Sequence, residues 1–164
     1  MLETPELARW ARSRYLPTGV DDAVKAIVFG GLTGCWLTAE WPHVLRFTDV
    51  ITTWVQRVGF HPDAYQYLLL MLDSPGWRCV PEPALDWLHQ IIQLSPDARR
   101  LWSQHENGAR TARLLKRMWD SERDEIRRDG ESLRRFSMLV DRLVAAGEPL
   151  ASVLQGELEA LRGA

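Results

Sequence analysis

Apolar positions in the second half of this chain recur every three to four residues, the period of an amphipathic helix. In "GARTARLLKRMWDSERDEI" the stripe is Leu115, Trp119, Glu122 and Ile126, with arginine and acidic residues on the other face. In "ESLRRFSMLVDRLVAAG" it is Leu133, Phe136, Val140, Leu143 and Val144. In "PLASVLQGELEAL" it is Leu150, Leu154, Leu158 and Leu161. Gly147 stops one helix and Pro149 starts the next. No two-residue turn flanked by alternating apolar residues announces a hairpin of strands. The breakers divide the chain into helices near 4–16, 21–37, 41–58, 62–73, 82–94, 96–106, 108–128, 131–146 and 149–162. Connections are short except 73–82, which is stiffened by Pro75 and Pro81 with Pro83 just beyond. Short connections predict antiparallel neighbours. The expected fold is all-α: about nine antiparallel helices packed as helical hairpins, a short α-solenoid or compact bundle, forming one domain over 1–164.

Two segments are siblings. "WVQRVGFHPDAYQYL" begins at Trp54 and "WLHQIIQLSPDARRLW" at Trp87, and both reach Pro-Asp-Ala. Pro62 and Pro96 stand 34 residues apart, and a further step of 34 reaches the break at Gly130. A period in the thirties with two helices per unit marks stacked helical hairpins. Over about 41–130 the chain resembles a degenerate tetratricopeptide-like or HEAT-like helical repeat. Pro96 and Trp102 match the offset between the closing proline and the following tryptophan; Leu68 takes the tryptophan place in the first copy. Ala84 fits a small-residue position, while Glu106 and Leu72 stand where the pattern has glycine. The resemblance implies an α-hairpin stack with an extended binding surface.

Composition narrows the function. The 164 residues are 46% hydrophobic and 26% charged, with a net charge of −2. A dedicated nucleic-acid binder would be strongly basic. Arginine outnumbers lysine by 18 to 2, which reads as the codon usage of a GC-rich bacterial genome. The opening "MLETPELARWARSRY" has no apolar core of a signal peptide, so a cytoplasmic location is expected. The uncharged run 26–39 has 14 residues, short of the ~20 a membrane helix needs. It reads as a buried helix whose Gly30 and Gly34 admit a close neighbour, and no membrane partner is expected.

The motif "GFHPDA" sets His61 two residues from Asp63, a pairing that could serve chemistry. Its sibling "QLSPDA" has Ser95 in place of the histidine. What the two share is a helix start: a cap, a proline at the first helical position and an aspartate in the first turn. Carboxylate-x-x-His pairs occur as Glu40/His43 and Asp86/His89. Such pairs hold metal in di-iron bundles, which need further carboxylates facing inward from other helices. Cys35 sits in the apolar run, and Cys79 follows Arg78 with no base partner to activate it. No catalytic residue, cofactor or metal ligand is therefore assigned.

The remaining features point to binding. Eight tryptophans punctuate the chain, and most should be core pillars. Trp77, in the long connection beside Arg78, is the candidate anchor for a partner. Tyr65 and Tyr67 are further aromatic anchors. Arg99, Arg100, Arg110, Arg113, Lys116 and Arg117 form a cationic stripe, with Arg110, Arg113 and Arg117 on one helix face. The expected function is a protein–protein interaction or adaptor module whose partner is another protein or peptide. Self-association would use 131–162. Two alternatives are nucleic-acid or anion binding through 99–117, and a helical-bundle metalloenzyme built on His43 and His89.

Overall fold

The computed structural model describes residues 48–58, 60–73 and 81–162. Helices expected at 4–16 and 21–37 lie outside these residues, as do the beginning of 41–58 and positions 74–80 of the long connection. Every regular element among the described residues is helical. Helix α1 is Thr48–Val58, α2 Pro62–Asp73, α3 Pro81–Leu94 and α4 Ala98–Ser103. A short 3-10 turn, Gln104–Glu106, leads into α5, Asn107–Arg128. Helices α6, Gly130–Ala145, and α7, Pro149–Arg162, complete the order.

Local chemistry sets these boundaries. Pro62 opens α2, where a missing N–H costs nothing, and Tyr65 donates its N–H to the His61 carbonyl at 2.9 Å. The sibling start behaves differently. Helix α4 begins at Ala98 rather than at Pro96, because Asp97 takes extended backbone and becomes the cap. Its carboxylate accepts the Arg100 N–H at 3.1 Å. Asp129 caps α6 in the same manner, accepting from the N–H groups of Glu131 and Ser132. These bonds, with the Ser132 hydroxyl foremost, hold the Asp129 carboxyl below its usual range. At the α6–α7 corner Gly147 has φ of 88°, the left-handed region that glycine enters freely. The Gly147 N–H reaches the Val144 carbonyl and the Glu148 N–H reaches the Leu143 carbonyl, closing a Schellman turn.

The helix expected over 96–106 is interrupted. His105 (φ 54°) and Glu106 (φ 56°) are consecutive left-handed residues, and neither is glycine. They swing the chain sharply from α4 into α5. Beyond them α5 runs 22 residues, with one non-helical step at Glu122.

Alternate long helices lie side by side. Helix α1 packs on α3 and α3 on α6; α2 packs on α5 and α5 on α7. The pairs α5–α6 and α6–α7 join these two rows, while α4 fills the corner between α2 and α5. The core between the rows is aromatic and aliphatic. Trp54, Trp87, Trp102 and Trp119 are all buried, and Trp119 stacks on Phe136 with centroids 5.1 Å apart. Burying such rings is the largest apolar contribution a side chain can make. The stripes read from the sequence face this core: Leu115, Ile126, Phe136, Val140, Leu143, Leu154 and Leu158 are buried, and Leu133, Val144, Leu150 and Leu161 pack partly buried against them. The face of α7 that remains outward carries Val153 as its one large exposed apolar side chain, 53% exposed, among the described residues.

Candidate functional site

The two sibling motifs meet in space. Phe60, His61 and Pro62 from the first, and Ser95, Pro96 and Asp97 from the second, line one cleft of about 270 Å³. Arg100 and Leu101 of α4 complete it. Sibling motifs whose prolines stand 34 residues apart in the chain thus form two walls of one opening. Leu101 is buried at its base, whereas Pro96, Asp97 and Arg100 stand exposed at the rim.

A buried amide fixes the spacing of these walls. Asn107, at the start of α5, is fully buried. Its Nδ2 donates to the Pro62 carbonyl at 3.2 Å and to the Leu101 carbonyl at 3.1 Å. One side chain therefore holds a backbone atom of each wall. Behind it, the Thr111 hydroxyl donates to the Asn107 carbonyl at 2.7 Å. A hydroxyl has one proton to give. The Tyr65 hydroxyl, 2.7 Å from Thr111 Oγ1, must therefore be the donor of that bond. Burial pushes the Tyr65 phenol up to about 12. Tyr65 is accordingly a core residue, not the surface anchor its position suggested. Tyr67 is partly buried against the core.

A second tie crosses the same corner. His105 Nε2 lies 2.7 Å from Asp63 Oδ1. His61 Nδ1 is 3.7 Å from the other oxygen, too far for a hydrogen bond, and this shielded nitrogen has no hydrogen-bond partner. His61 and Asp63 are thus not a tight dyad. The aspartate that opens α2 is engaged instead by a histidine 42 positions away.

The cationic stripe divides. Arg117 pairs with Asp73, and Lys116 pairs with Asp120 and, at 3.5 Å, with Glu157. The Asp120 bond is the first cause that raises the Lys116 ammonium above its usual range. Arg99, Arg100, Arg110 and Arg113 have no ion-pair partner among the described residues. Arg99 and Arg100 face different openings. Arg100 lines the cleft described above, and Arg99 lines a neighbouring one of about 550 Å³ with Ser103, Val144 and Glu148. Arg110 is half-buried and Arg113 exposed. Trp77 and Arg78 lie outside the described residues.

The carboxylate-x-x-His pairs fare differently. Glu40 and His43 lie outside the described residues, as do Cys35 and Cys79. Asp86 is occupied: Gln90 donates to it at 2.6 Å and Arg135 of α6 pairs with it at 3.4 Å. Burial, followed by the charges of Arg134 and Arg135, holds the His89 imidazole below its usual range. Among the described residues no group of three or more histidine, cysteine or acidic side chains is placed to hold a metal ion. No helix among them is long and apolar enough to cross a membrane.

Sequence reasoning did not single out His105, Asn107 or Thr111. Each acts across more than 40 positions or through the backbone, and no local spacing encodes that. The signal within reach was the sibling pair itself, whose two copies line one cleft. No family model, curated protein or solved structure matches the chain.

Proposed function

We propose that this chain is a protein-interaction module whose binding face is the edge where the two sibling motifs meet. The observation that carries this reading is the single cleft lined by Phe60, His61 and Pro62 on one side and by Ser95, Pro96 and Asp97 on the other. Its lining mixes apolar rings with an exposed arginine, the composition of a partner-binding surface. Its walls are fixed by Asn107, so little ordering is left for a partner to impose. The long helices alternate in two rows, joined where the consecutive pairs α5–α6 and α6–α7 pack together, and stacked helical units of this kind present helix ends along an edge. The leucines of 131–162 are engaged inside the protein, and that favours the cleft edge over α7 as the binding face.

Selection of a displayed peptide library against the immobilised chain tests this. Selected sequences should bind the wild type and lose binding to Phe60→Ala and Pro96→Arg. A Glu159→Arg change on the exposed side of α7 should leave binding intact. No enrichment, or enrichment indifferent to the cleft variants, sinks the reading.

A further inference from the structure

We infer that the occupant of this cleft is a segment of another protein in which a carboxylate stands within a few residues of an apolar side chain; this rests on the cleft being the interaction site. At about 270 Å³ the opening is smaller than the ~300–1,000 Å³ typical of pockets for drug-sized molecules. It suits one or two side chains of a peptide. Phe60, Pro62 and Pro96 give it apolar walls, and Leu94, one residue before the second wall, is 47% exposed.

Charge selects the second half of the motif. Asp97, which lines the cleft, and Asp63, in the first turn of α2, each have a carboxylate oxygen already engaged. The Asp97 carboxylate caps α4 through the Arg100 N–H, and the Asp63 carboxylate is bonded to His105. The Arg100 guanidinium is exposed, lines the cleft and has no ion-pair partner among the described residues. An incoming carboxylate can therefore meet a planar, two-pronged cation that no internal acid has claimed. The same charges disfavour a polyanion. Nucleic-acid affinity is built from many phosphate contacts along one track, yet Lys116 and Arg117 are tied to Asp120 and Asp73, and Arg99 and Arg100 line different openings.

The test uses the full chain and two matched sets of fluorescein-labelled octapeptides. Each peptide carries one leucine, and each has either glutamate or glutamine at every other position in turn. Fluorescence anisotropy should show the best glutamate peptide binding about two- to fivefold more tightly than its glutamine twin, the range an exposed ion pair supplies. Arg100→Gln should remove this preference by weakening the glutamate peptide more than its glutamine twin, and Arg100→Lys should restore part of it. Equal affinity for the two sets, or an Arg100→Gln loss that is the same for both, overturns the charge inference and leaves the cleft as an apolar docking site. Binding by neither set overturns the interaction reading with it. A single-stranded oligonucleotide that binds more tightly than any peptide and depends on Arg100 overturns the inference in favour of nucleic acid.

Discussion

Asn107 donates its side-chain amide to the carbonyl of Pro62, 45 positions earlier, at 3.2 Å. The same amide holds the Leu101 carbonyl at 3.1 Å, so one buried residue sets the distance between α2 and α4. Replacing it by alanine strands the Leu101 carbonyl at the end of α4 and takes a second donor from the Pro62 carbonyl, which keeps its helical bond. We expect Asn107→Ala to cost about 2–3 kcal/mol, because buried acceptors left unmade are expensive. Asn107→Asp should cost at least as much, since an ionised carboxylate cannot donate. Urea denaturation gives the value as a lowered midpoint. A midpoint unchanged in both variants would show that the clamp does not hold the corner.

The left-handed corner offers the opposite change. Glu106 is exposed, its φ is 56°, and its side chain makes no capping hydrogen bond. A non-glycine residue there costs roughly 1–2 kcal/mol, and glycine escapes this at some expense in chain entropy. Glu106→Gly should therefore stabilise the fold by about 0.5–1 kcal/mol. His105→Gly should gain little, because the same relief is set against the lost 2.7 Å bond to Asp63. Thermal unfolding of the two variants side by side separates strain from contact. If both glycines destabilise equally, the corner is not strained.

Much of this fold could be read from the chain. The helices expected at 62–73 and 149–162 match α2 and α7 residue for residue, because Pro62, Pro149 and Gly147 punctuate them by local backbone chemistry. The inward stripes also held, since burial follows from helical spacing, except at Glu122, which stays out of the core where the backbone leaves helical geometry. The helix over 96–106 did not, and the reason is specific. His105 and Glu106 are ordinary helix residues locally, and tertiary ties of the corner, among them the His105–Asp63 bond, hold the chain in an uncommon conformation there. The cleft was legible only in part. Its two halves were visible as sibling motifs and Arg100 stood among the candidates. Its clamp was not visible, because a buried asparagine that serves two distant carbonyls leaves no periodic trace.

Alkaline pH should probe the core through Tyr65. Its phenol lies at about 12 in the folded chain, above the ordinary 10, with burial as the main cause. The folded state therefore holds this proton more tightly than the unfolded chain. The stability this gives is complete below pH 10 and is lost as pH rises from 10 toward 12, by about 2 kcal/mol. Tyr65→Phe should remove that slope while costing about 1 kcal/mol near neutrality for the lost bond to Thr111. Denaturation midpoints measured across this range check it. A wild type and Tyr65→Phe that weaken in parallel would mean that Tyr65 is not the responsible group.

The tie between α1 and α3 yields a coupled prediction. Trp87 Nε1 donates to Thr52 Oγ1 at 2.8 Å, and the Thr52 hydroxyl donates in turn to the Thr48 carbonyl at 2.8 Å. Trp87 is buried, so its N–H has no recourse to water once the acceptor is gone. Thr52→Val keeps the shape and deletes the acceptor, which should cost about 1–2 kcal/mol. Trp87→Phe deletes the donor and leaves a void, and should cost about 2–3 kcal/mol on cavity grounds. In the double variant no stranded N–H remains. The combined loss should therefore fall short of the two single losses added together, by about 1 kcal/mol. Urea denaturation of the four proteins closes the cycle. Strict additivity would mean that the indole–hydroxyl bond contributes nothing, and that α1 is held to α3 by apolar burial of Trp54, Trp87 and their neighbours alone.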